Sequence, residues 1–256
     1  MQLNYKSFGE GTPVVILHGL LGSLDNWQTF ARKLSSDFKV FTIDLRNHGR
    51  SPHSDEHSYP AMVSDLVEFF TKHHIEDAHI IGHSMGGKVA MQFAITHSEK
   101  VLKLIVVDIA PKEYGRGHDT IFDALEDVDI FRITKRDDAD AMLATHIDDF
   151  AVRQFLLKNL DRNADGSFSW KMNLDGLIRN YEQINQAIHS EKPVAVSAYI
   201  IRGGKSNYVL ENDLSSFQKI FPKIELITIP DAGHWVHAEA PDVFYAAVHK
   251  ILADIV

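Results

Sequence analysis

The sequence predicts an α/β fold: an open, mostly parallel central sheet with helices on both faces. Two observations carry this. Short β-branched runs alternate with helical patterns, and the runs stop abruptly at Gly, Asp or Ser. The runs are also close to continuously apolar, as strands covered on both faces are.

The expected strands are 13–17 (PVVIL), entering His18-Gly19, and 39–43 (KVFTI), entering Asp44. Next come 78–81 (AHII), entering Gly82, and 102–107 (LKLIVV), entering Asp108. The last two are 198–201 (AYII), entering Arg202-Gly203-Gly204, and 224–229 (IELITI), entering Pro230-Asp231. Helical patterns cover 24–34, 60–74, 86–97, 214–221 and 241–252. In such sheets chemistry collects at the carboxyl ends of the strands, so the residues that stop each run are the first candidates for function.

One stretch breaks the rhythm. Residues 112–192 contain no convincing core strand, but show helical patterns at 119–131, 137–147, 149–160 and 174–188, with an Asp165-Gly166 turn between the last two. A crossover needs only about a dozen residues, so this reads as an inserted helical cap rather than a linker. The expected division is a core of 1–111 and 193–256 with a cap of 112–192. In the cap, Phe122, Phe131, Met142, Leu143, Phe150, Phe155, Leu156 and Leu157 are expected mostly to pack it, with a few facing the site.

Composition narrows the function. With 45% hydrophobic and 24% charged residues the chain is an ordinary globular protein, and a net charge of −9 repels a phosphate backbone, so nucleic acid is not an expected partner. Absence of cysteine excludes disulfides, thiolate metal sites and a Cys nucleophile. No run of ~18 apolar residues and no apolar leader is present, which makes the cytoplasm the expected location. Fifteen histidines include no His pair in a zinc-type context, so no metal and no cofactor are expected. The absence of a P-loop or dinucleotide fingerprint excludes kinase and dehydrogenase readings.

The strongest chemical signal is Gly82-His83-Ser84-Met85-Gly86, followed by Gly87, between an apolar strand and a helix. A G-x-S-x-G motif in that context forms a nucleophile elbow: small residues permit a sharp turn, and the helix start aims amide N–H groups at developing negative charge. His18-Gly19-Leu20-Leu21-Gly22 follows an earlier strand and can set the Leu20 N–H beside that of Met85, a pair able to hold an oxyanion. His18 is expected to orient that loop. A serine hydroxyl needs a base, and Asp231-Ala232-Gly233-His234-Trp235 places His234 after the last strand, where an imidazole can both take and return the proton. His237 is the nearby competitor, without a preceding Gly to free its loop.

These motifs, with Leu17-His18-Gly19 and Asp44-Leu45-Arg46-Asn47-His48-Gly49-Arg50-Ser51, resemble the α/β-hydrolase superfamily in its own order over residues 13–250. More narrowly, Arg46-Asn47-His48-Gly49, Val107-Asp108-Ile109-Ala110-Pro111 and Gly203-Gly204-Lys205-Ser206-Asn207-Tyr208-Val209 resemble the bacterial YbfF-type esterases, relatives of the abhydrolase-domain-11 proteins. The resemblance implies the α/β-hydrolase fold and serine acyl hydrolysis, with Ser84 as nucleophile, His234 as base, and the Leu20 and Met85 amides as oxyanion hole. Asp44 and residues 46–51 would shape a loop near the pocket.

The acid departs from the more frequent superfamily pattern. Ser206 stands where a carboxylate is usual after the post-cap strand, and Asp108 is the favoured replacement, ahead of Asp231 and Asp213. The expected activity is therefore hydrolysis of small to medium acyl esters through an acyl-enzyme. An acyl-CoA thioesterase is the alternative, with Lys88, Arg46, Arg50 and Lys205 as candidate phosphate partners. A hydrolase-fold binding protein with vestigial catalysis is the reading from a different class.

Overall fold

The computed structural model describes residues 1–254. In chain order the elements are β1 (Tyr5–Phe8), β2 (Pro13–Leu17), α1 (Gln28–Leu34), β3 (Lys39–Ile43), α2 (Tyr59–Lys72), β4 (Ala78–His83), α3 (Met85–Thr96) and β5 (Val101–Val107). There follow α4 (Asp119–Glu126), α5 (Arg136–Leu143), α6 (Phe150–Leu156), β6 (Leu160–Arg162), β7 (Phe168–Trp170), α7 (Leu174–Arg179) and α8 (Tyr181–Asn185). The chain closes with β8 (Ser197–Gly203), α9 (Leu214–Ile220), β9 (Glu225–Ile229), α10 (Val236–Glu239) and α11 (Pro241–Ala253).

Seven strands form one sheet in the order β1-β3-β2-β4-β5-β8-β9, parallel except for β1. The apolar runs become the parallel strands because both faces are buried. On one face Trp27, just ahead of α1, Phe30 of α1 and Phe244 of α11 pack against Ile16, Ile81 and Ile105. On the other, α2 and α3 pack Leu66, Phe70 and Phe93 against Val15, Ile80 and Leu104. Each such side chain contributes roughly 1.5–3 kcal/mol when removed from water. Helix α2 starts where the Ser58 hydroxyl accepts the Ala61 N–H at 3.3 Å, with a proline in the first turn. Strand β1 was not expected. Its Tyr-Lys-Ser-Phe sequence is largely exposed and needs only one partner strand.

Between β5 and β8 the chain forms α4 to α8 and a separate antiparallel pair, β6 and β7. The Asp165-Gly166 turn therefore joins two strands of a hairpin, not two helices, with Gly166 at φ +88°. Phe131 and Phe150, expected to pack, are exposed at 96% and 62%. Phe122, Leu143, Leu156 and Leu157 are buried. Among the described residues no helix is long and apolar enough to cross a membrane.

Two features bind this frame to the site. A Cβ on Gly86 would lie 2.5 Å from the His18 carbonyl oxygen and 2.6 Å from that of Leu17, so only glycine lets α3 approach β2 this closely. Lys88, two residues further on, is 1% exposed and donates to the carbonyls of Asn185 (3.1 Å) and Gln186 (2.6 Å) at the end of α8. Burial pushes its pKa from 10.5 down to about 7, opposed in part by the Glu113 carboxylate. A neutral amine still has two N–H groups for the two carbonyls.

Gly86→Ala should destabilise the fold by about 1–3 kcal/mol or more, while Gly115→Ala, where a Cβ meets nothing within 4 Å, should be near neutral; urea unfolding compares them. For Lys88 the sign follows from linkage. Between about pH 7 and 10.5 the unfolded chain binds a proton that the folded chain has released, so stability rises with pH across that window. The stability of the wild type relative to Lys88→Met should therefore climb from about pH 7 toward pH 9 in urea titrations; a flat difference would mean that the folded ammonium keeps its charge.

Candidate active site

Strand register places the candidate residues. Leu17 pairs with Gly82, His83 with Val107, and Val107 with Ile201, so the residues that follow β2, β4, β5 and β8 emerge side by side at one edge of the sheet. The Ser84 N–H donates to the Val107 carbonyl at 3.0 Å, and the Asp108 N–H to that of Ile201 at 2.9 Å. Both residues turn sharply, with φ of 52° for Ser84 and 49° for Asp108. A left-handed conformation in a non-glycine residue costs about 1–3 kcal/mol, which the paired strands around them sustain.

Asp108 is fully buried, and its carboxylate is satisfied by three donors. Oδ1 accepts the Gly203 N–H at 3.0 Å; Oδ2 accepts the His234 Nδ1–H at 2.8 Å and the Ser206 hydroxyl. The serine in the usual carboxylate position thus donates to the carboxylate that stands elsewhere. With Nδ1 donating, Nε2 is the acceptor of a neutral His234 ring. Ser84 and His234 line one cavity, and no hydrogen bond joins their side chains among the described residues.

Several side chains that hold His234 had no signal in the sequence. Tyr208 stacks on its ring at 3.8 Å and 18°. The His83 Nε2–H donates to its carbonyl at 2.9 Å. Glu239 accepts the N–H groups of Gly233 (2.7 Å) and Trp235 (3.1 Å), which pins the loop on either side. The competitors are engaged elsewhere. His237 is stacked flat on Trp27 at 4.0 Å, and burial, with His234 close by, pushes its pKa down to about 3. Asp213 holds Lys112 at 2.6 Å, and Asp231 is an exposed residue near Lys205.

The N–H groups of Leu20 and Met85 have no acceptor among the described residues, and Met85 opens α3, where first-turn N–H groups lack helical partners. The loop carrying Leu20 is held on every side. His18 donates Nδ1–H to the Gly19 carbonyl at 2.8 Å and accepts the Leu45 N–H on Nε2 at 3.0 Å. At Leu21, itself at φ 58°, the N–H donates to His48 Nε2 (3.2 Å) and the carbonyl accepts from Asn159 Nδ2 (2.7 Å). Asp44 accepts the N–H groups of Leu24 (2.7 Å) and Arg50 (2.9 Å), a loop-shaping role as expected.

Two of the candidate phosphate partners are not free. Arg46 is buried in a two-point pair with Asp65, at 2.7 and 3.0 Å, and Lys88 is committed to its two carbonyls. Arg50 and Lys205 are exposed beside Asp161 and Asp231. No group of three or more metal-binding side chains converges among the described residues.

Two cavities meet at Ser84. One of about 50 Å³ runs past His234 and Trp235 to Val152, Phe155 and Leu156; the other, of about 180 Å³, runs past Met85 to Tyr59, Lys88 and Ile184. Leu20, Ser84 and His118 line both.

The chain matches the model of the alpha/beta hydrolase fold over residues 12–241. It is 40% identical over 246 residues to Esterase YbfF of Escherichia coli K12, covering 95% of this chain and 94% of that protein. It is 37% identical over 263 residues to the sn-1-specific diacylglycerol lipase ABHD11 of Danio rerio, covering 98% and 83%. A solved marine microorganism esterase superposes with a TM-score of 0.95 at 42% identity, over 97% of this chain and 98% of that one. A mostly parallel seven-stranded sheet, matched over nearly the full length of the chain by these proteins, makes this chain a hydrolase of the α/β-hydrolase family.

Proposed function

We propose that the chain is a serine carboxylic-ester hydrolase acting on small to medium acyl esters through an acyl-enzyme. The observation that carries this is the 2.8 Å bond from His234 to the fully buried Asp108, with Ser84 lining the same cavity as His234. In this reading residues 1–111 and 193–256 form the core and 112–192 a cap over the site.

His234 Nε2 takes the proton as the Ser84 oxygen attacks the ester carbonyl. Asp108 holds the tautomer and stabilises the imidazolium, while the negative oxygen accepts the N–H groups of Leu20 and Met85. Collapse of the tetrahedral intermediate breaks the acyl–oxygen bond, and the alcohol leaves with the proton from His234. Water, deprotonated by the same ring, then attacks acyl-Ser84 and releases the acid. The two cavities would divide the acyl and alcohol parts between them. The lipase name of the Danio rerio relative extends the candidate substrates to acylglycerols. The commitments of Arg46 and Lys88 count against a coenzyme A thioester as the principal substrate.

Ser84→Ala should lose ester turnover by about 10⁴-fold or more while remaining folded, and His234→Ala should be nearly as severe because the two act as a unit. Asp108→Asn should cost roughly 10⁴-fold, with Asp213→Asn and Asp231→Asn far milder. Rates on a panel of p-nitrophenyl esters from acetyl to palmitoyl, with circular dichroism as the fold control, test this. Substantial turnover in Ser84→Ala would end the serine reading.

A further inference from the structure

His118 has no part in the reaction as described, yet it is one of three residues shared by both cavities. Its surroundings fix its tautomer. The hydroxyl of Tyr181, a side chain with no exposed surface, accepts the N–H of Gly117 at 3.1 Å and of His118 at 3.0 Å. With both lone pairs taken, its own proton goes to the remaining neighbour, His118 Nδ1, at 2.7 Å. A neutral imidazole that accepts on Nδ1 carries its proton on Nε2. That atom has no hydrogen-bond partner among the described residues, and the residue that carries it lines both cavities. Burial, reinforced by nearby His234, pulls the His118 pKa down and keeps the ring neutral.

The junction of the two cavities is also where an ester bond must lie if Ser84 is to attack it. Its carbonyl oxygen turns toward the amides of Leu20 and Met85. The second oxygen, the one bonded to the alcohol part, meets an N–H of His234 only after that ring has taken the Ser84 proton; until then, in this reading, the core gives it no donor. We propose that His118 is a specificity-determining residue that donates its Nε2–H to this alkoxy oxygen, so that the site favours oxygen esters over thioesters. This rests on Ser84 being the nucleophile. No proton is transferred by His118, because the one that leaves with the alcohol comes from His234. A thioester presents sulfur at the same position, and sulfur is a weak acceptor.

The test uses the whole chain and a matched pair, phenyl acetate and S-phenyl thioacetate. A fluorophosphonate is first reacted with the wild type and the modified residue identified by mass spectrometry. Label on a residue other than Ser84 would overturn the nucleophile assignment, and this proposal with it. With Ser84 labelled, His118→Phe should lower kcat/KM on the oxygen ester by about tenfold, the worth of one hydrogen bond, and on the thioester by less than about twofold. His118→Gln, which returns an N–H near the same place, should recover most of the ester rate. Equal losses on both substrates, no loss on either, or no recovery in His118→Gln would overturn the proposal. Nitrogen-15 shifts of the His118 ring provide a readout that needs no variant to fold. The wild type should show a protonated Nε2 and a bare Nδ1, and Tyr181→Phe should mix the two tautomers; a bare Nε2 in the wild type would overturn the proposal.

Discussion

A carboxylate with no access to water organises this end of the molecule. Among the described residues no Lys or Arg pairs with Asp108, and its two oxygens are held by oriented donors: the Gly203 N–H, the Ser206 hydroxyl and the His234 ring. Burying an ion without such partners costs several kcal/mol, so the three contacts are conditions for the fold and not additions to it. They come from the ends of β8 and β9, which means that the sheet must be complete at that edge before the carboxylate is satisfied. The position of His234 is a by-product of that requirement.

The parts legible in the sequence were those encoded locally. The apolar strands stop at the residues that line the site, because parallel strands in register bring their carboxyl ends together. Ser84 could be read from five consecutive residues. Asp108 could be read only indirectly, from the missing carboxylate at Ser206 and from its own place at a strand end. The structure adds what the serine does there: its hydroxyl donates to the Asp108 carboxylate.

What escaped was non-local or conformational. Tyr208 and Glu239 hold the His234 loop through contacts that no spacing predicts. The tautomer of His118 depends on how many donors reach one phenol oxygen. Strand β1 and the β6–β7 hairpin are too short and polar to stand out by periodicity. Phe131 and Phe150 show the converse: α4 ends at Glu126, before Phe131 is reached, and Phe150 opens α6 on an exposed side, so apolar spacing did not by itself supply a surface to pack against.

The peptide at Leu21 is gripped from two directions, by His48 of the core and by Asn159 of the 112–192 segment. Its neighbour Leu20 supplies one of the two free amides. If Leu20 receives the negative oxygen as proposed, the Asn159 contact makes the 112–192 segment part of what fixes that amide in place. The precision of the loop after β2 would then depend on a side chain 138 positions further along the chain, so a substitution outside the cavities could still be felt at that amide.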